Sequence, residues 1–158
     1  MKASFGDRPG LLIDLHGQGN KPSRIEIGYG LSKEDLASKE LDSFAERTTI
    51  RGLVERSGKS LSDLVFGSEG FGAGLNGEGL RTMPSPEDQI PIGKFFRGGF
   101  TVFRHGSRRG GIFDAIQFEF PTNVRTIARE RKRASRKTAE VIQRFLETFY
   151  GSDEIEED

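Results

Sequence analysis

The chain has 158 residues, with 24 Lys or Arg against 24 Asp or Glu, 21 glycines, 13 phenylalanines and no cysteine or tryptophan. That length suits one ordinary domain and not two, the balanced charge implies no polyelectrolyte partner, and the missing cysteine excludes disulfides, thiolate metal sites and thiol nucleophiles. No apolar run approaches the ~18 residues of a membrane span and no leader pattern is present, so the expectation is a folded cytoplasmic protein with no membrane partner.

In chain order, Gly10-Leu11-Leu12-Ile13-Asp14-Leu15-His16-Gly17 predicts a short buried strand running into a glycine loop. Arg24 to Tyr29 alternates polar and apolar residues, the period of a half-buried strand. Ser32 and Asp35 have the spacing of a capping box at the start of a helix. Helical pieces follow over Thr49–Ser57, Ser60–Phe66 and Glu69–Leu75, and Thr82-Met83-Pro84-Ser85-Pro86 reads as a turn-rich loop. Two more strands are predicted, Gly98–Arg104 and Asp114–Phe120. The longest helix is predicted from Asn123, as N-cap, to Tyr150, with Gly151 just past its end. Arg131 falls inside the apolar stripe of that helix, so the helix breaks there or Arg131 is paired. Asp153 to Asp158 closes the chain as an acidic tail, and residues 152–158 are expected to be disordered. Strands alternating with helices give an α/β fold class, a mixed β-sheet flanked by helices in one domain over residues 1–151.

Three places have the residue types for chemistry. Asp14 and His16 project to one side of the first strand at its carboxyl end, where ligands collect in open α/β sheets. Either His16 is a metal ligand with Asp14 orienting it from behind, or it is a solvent-exposed loop histidine. His105 lies among Arg104, Arg108 and Arg109 in a glycine-rich segment, which reads as a carboxylate or phosphate clamp or as a basic loop without a ligand. Glu119 sits in the apolar run Ile116-Gln117-Phe118-Glu119-Phe120. It is either a buried carboxylate with the raised pKa of a general base or part of the polar face of a half-exposed strand. Gly72 to Gly77 spells G-x-G-x-x-G but follows a helical segment rather than a strand, so it is set aside as a dinucleotide fingerprint. The basic run Arg125–Lys137 places its charges opposite the apolar stripe, as a solvated helix face does. It lacks interleaved aromatics, so no nucleic-acid partner is expected.

Four segments together carry a family likeness: Leu11 to Gly19, Glu26-Ile27-Gly28-Tyr29-Gly30, Phe96 to Gly106, and Ala115 to Pro121. In order and spacing they resemble the N-formylglutamate amidohydrolase family, over nearly all of the chain up to Tyr150. The resemblance implies a sandwich like that of the zinc-dependent peptidases and metal-dependent hydrolysis of the amide bond in a small carboxylate-bearing substrate. By the same resemblance His16 is a zinc ligand with Asp14 behind it, Glu119 is the catalytic base, and Arg104 and His105 bind substrate. The remaining ligands in that family, a His and an acidic residue, come from an amino-terminal section. Upstream of Asp14 this sequence has no His, and Asp7 is its only acidic residue. The chain therefore reads as the carboxyl-terminal part of the family domain, with its zinc site incomplete and an exposed sheet edge through which it self-associates. The alternative reading is a non-catalytic remnant that binds a small acid or a protein partner through the same cleft.

Overall fold

The computed structural model describes residues 8–151; the acidic tail predicted at 152–158 lies outside them. The described elements are strands β1 (Gly10–Gln18), β2 (Ile25–Gly28), β3 (Thr82–Met83) and β4 (Phe113–Pro121), and helices α1 (Lys33–Leu36), α2 (Arg51–Ser57), α3 (Leu61–Phe66), α4 (Phe71–Gly77), α5 (Phe100–His105), α6 (Thr122–Thr126) and α7 (Ala128–Phe149), with a 3-10 turn over Leu41–Arg47. The class is α/β. Four strands form one mixed open sheet in the order β1-β4-β2-β3, with β4 parallel to β1 and antiparallel to β2. None of the described helices is long and apolar enough to cross a membrane.

The alternation of the strands gives the sheet two unlike faces. One carries Ile13, Ile25, Ile27, Ile116 and Phe118, packed beneath helices α2, α3, α4 and α7 in a single apolar core. Phe71 links the layers there: its ring meets Phe118 edge-on at 5.1 Å and stacks on Phe145 of α7 at 3.9 Å. The other face carries Asp14, His16, Glu26, Gln117 and Glu119, and is overlain by residues 92–105.

Local signals explain most of the elements. Ser32 and Asp35 form the expected capping box, with Ser32 Oγ accepting from Asp35 N–H and Asp35 Oδ2 accepting from Ser32 N–H. Ser60 caps α3 with a single bond, its Oγ accepting from Asp63 N–H. Thr82-Met83, expected in a loop, pairs in parallel with Ile25-Glu26 to make β3.

Two further predictions need correction. Gly98–Arg104 is not a strand: after Gly98 and Gly99 the chain enters α5. Both edges of β4 are already occupied, by β1 and β2, and Gly98 has φ +123°, which breaks an extended run. Gly98 also lies directly on β2. A Cβ on Gly28 would stand 2.5 Å from Gly98 N and 2.8 Å from Arg97 O, so only glycine lets the two backbones approach this closely.

The long carboxyl-terminal helix is also not continuous. Ile127 is extended (φ −99°, ψ 112°) and separates α6 from α7. Arg131, the charge inside the apolar stripe, donates from Nη1 to the carbonyl of Arg125 at 2.8 Å, so the break and the pairing occur together. Asn123 is not the N-cap; its Oδ1 accepts from Ser23 Oγ instead.

Candidate functional site

The register of the sheet assembles the polar face. Asp14 is opposite Gln117 and His16 is opposite Glu119 across β1 and β4, while Glu26 of β2 faces Glu119 from the other side. Glu119 therefore stands in the middle strand between a histidine and a second carboxylate. Directly opposed residues on adjacent strands have Cβ atoms about 5 Å apart, so these three side chains share one small volume.

The two flanking groups have partners. Glu26, fully buried, is 3.3 Å from Arg24 Nη2, and the Arg24 side chain is buried with it. Its oxygens also accept from Asn20 Nδ2 at 3.2 Å and from Phe96 N–H at 3.0 Å. His16 Nε2 lies 3.0 Å from Asp14 Oδ1, and Gln117 Nε2 donates to Asp14 Oδ2 at 3.4 Å. The histidine is half exposed, and with Nε2 held by Asp14 its Nδ1 is the ring nitrogen left for another group.

Glu119 is different. It is 4 % exposed, and no hydrogen bond or ion pair engages its carboxyl among the described residues. Burial is the main cause that lifts its pKa above the usual glutamate range. His16 opposes the shift, Glu26 and Asp14 add to it, and Arg125 opposes it weakly. A carboxylate short of donors in a nearly dry site is a strong proton acceptor, as general-base chemistry requires.

Of the residues expected in the site, Asp14, His16 and Glu119 come together. Arg104 and His105 do not join them. They lie at the end of α5, both exposed, in a helix whose N-cap, Gly99, is the end nearer Gln117. The guanidinium that acts electrostatically on Glu119 is that of Arg125, a residue expected on a solvated helix face. The helix break at Ile127 gives α6 its own direction, and Arg125 Nη2 reaches the carbonyl of Gln18 at the end of β1. Glu26, Asn20 and Arg24 were also not singled out from sequence. The alternation Arg24-Ile25-Glu26-Ile27 placed Glu26 on a polar face, and only the pairing of β2 with β4 shows that the face is this one.

A zinc centre needs about three protein ligands. Among the described residues no group of three or more His, Asp or Glu side chains is arranged to hold a metal ion. His16 with Asp14 does not by itself make such a centre. Comparisons with protein-family models, with curated proteins and with solved structures found no match to this chain.

Proposed function

We propose that the polar face of the sheet is the site of an amide hydrolase acting on a small carboxylate-bearing amide, of the kind the four sequence segments resemble, and that the sheet is part of a zinc-peptidase-like sandwich. The observation that carries this reading is Glu119, a nearly buried carboxyl with no hydrogen bond among the described residues, set between His16 and Glu26. In that chemistry zinc polarises the amide carbonyl and the attacking water. His16, backed by Asp14, is the residue of this chain suited to ligate it, but the two do not complete a centre, so the steps below rest on the chain's own groups.

Glu119, as the carboxylate, takes a proton from the water that adds to the amide carbon. When the carbon–nitrogen bond breaks, Glu119 returns that proton to the departing nitrogen and is again a carboxylate. Asp14 holds the His16 ring in one orientation. Arg104 and His105, exposed on α5, would meet the carboxylate of a substrate lying along that helix, and the charge of Arg125 acts weakly on the base.

A second reading, ligand binding without turnover, is favoured by the absence of a three-ligand group among the described residues. The purified chain, with and without added zinc, is incubated with N-formyl-L-glutamate while formate release and equilibrium binding are followed. Hydrolysis predicts formate release that falls at least about 100-fold in Glu119→Gln, the usual scale for a lost general base. Saturable binding with no formate would establish the second reading, and neither binding nor release would overturn both.

A further inference from the structure

We propose that the groove between β1 and α7 is a binding site for a monocarboxylate with an apolar chain, the chain lying along the groove floor and the carboxylate at the guanidiniums of Arg125 and Arg131. The groove opens on the helix side of the sheet, at the outer edge of β1, and encloses about 540 Å³, within the range typical of small-molecule pockets. It adjoins the proposed hydrolase site, with which it shares His16 and Arg125, but Glu119 is not among its lining residues.

Two observations point to this ligand. First, the lining is apolar where a chain would lie: Leu15, Phe120, Ala134 and Ile142 supply it, and Leu15 is left 63 % exposed. An edge strand that presents a large aliphatic side chain beside an open groove is a surface suited to being covered. Second, among the described residues the charged groups in the lining are Arg125 and Arg131, with His16 at one end and no Asp or Glu. Each guanidinium spends one nitrogen on a backbone carbonyl, Gln18 for Arg125 and Arg125 for Arg131, and keeps further N–H groups for an anion. Charge also argues against a second copy as occupant. A two-fold contact sets a patch against itself, which would bring these cations against their own equivalents with no carboxylate between them.

Decanoate is the probe, with decanol as the uncharged control, titrated calorimetrically into the whole chain at neutral pH. Ala139, an exposed lining residue, is replaced in Ala139→Trp to fill the groove without disturbing the core. The expected result is one saturable decanoate site, at least tenfold weaker binding of decanol, and at least a tenfold loss of decanoate affinity in Ala139→Trp at an unchanged unfolding midpoint. Equal affinity for decanoate and decanol, or decanoate binding that Ala139→Trp leaves intact, would overturn the assignment. So would light scattering that shows a dimer which Ala139→Trp converts to monomer, because the groove would then be covered by a second copy.

Discussion

Strand β4 carries two buried carboxylates five residues apart, on opposite faces of the sheet, and their surroundings could hardly differ more. Asp114, fully buried, receives Ser107 Oγ at 2.5 Å, Arg56 Nη2 at 2.6 Å, Tyr150 Oη at 2.8 Å and Leu53 N–H at 3.1 Å. Those donors come from α2, from the loop before β4 and from the residue after α7, so one side chain ties three parts of the fold to the start of the strand. The Tyr150 hydroxyl is pushed far above its usual pKa, first by burial and then by the Asp114 charge beside it. Glu119, near the other end, has no donor among the described residues. A buried charge is tolerated when hydrogen bonds replace its lost hydration and is a liability when they do not. The first arrangement fits a structural role; the second leaves a carboxyl available for chemistry.

The largest effect is expected at the satisfied carboxylate. Asp114→Ala should cost about 3–5 kcal/mol, the scale for removing one partner from a buried ion pair, and denaturant unfolding measures it. A cost below ~1 kcal/mol would mean that the four donors find water as readily as they found Asp114. Tyr150→Phe removes one of those donors and keeps the ring over Arg56, so a loss of about 1.5–3 kcal/mol is expected for a hydrogen bond to a charged group. The same titration measures it.

The smallest effect, and one of opposite sign, belongs to Glu119→Gln. With its folded pKa held above the usual value, the wild-type carboxyl contributes stability that is fully present below the ordinary glutamate range. That contribution is lost as pH rises through the raised pKa. The variant should therefore equal wild type in acid and exceed it at neutral pH. Thermal unfolding midpoints across that window test the sign, and a neutral-pH loss in the variant would show that Glu119 is satisfied after all.

What could be read from the sequence was local. The runs at Gly10–Gly17 and Asp114–Phe120, the alternation around Glu26, and the cap at Ser32 depend on neighbours within a few residues, and the elements form where those patterns lie. Gly98–Arg104 failed because Gly-Gly-Phe-Thr-Val-Phe-Arg has no period that separates strand from helix over so short a span. Its state is set by the seat that Gly28 offers Gly98, 70 residues away in sequence. Asp114 was read only as a strand terminus, since its donors are 7 to 61 residues distant. For Glu119 the choice between a buried base and a polar strand face stayed open because it turns on what covers the strand. Arg125 is exposed, as its place on a solvated helix face predicts, but its reach back to the end of β1 depends on the break at Ile127, which no local pattern marks.

The close approach of Gly28 and Gly98 has a consequence for water. Residues 92–99 rest on the polar face through that contact, with Phe96 N–H on Glu26 and Gly30 N–H on the carbonyl of Arg97 at 2.7 Å. The hydration of the face around Glu26 and Gln117, the neighbours of Glu119 in the sheet, is thus governed by a backbone spacing rather than by any side chain that does chemistry. One added methyl group at Gly28 would act as a wedge, admitting solvent beside Glu119 and lowering the local affinity for a proton without altering a titratable residue.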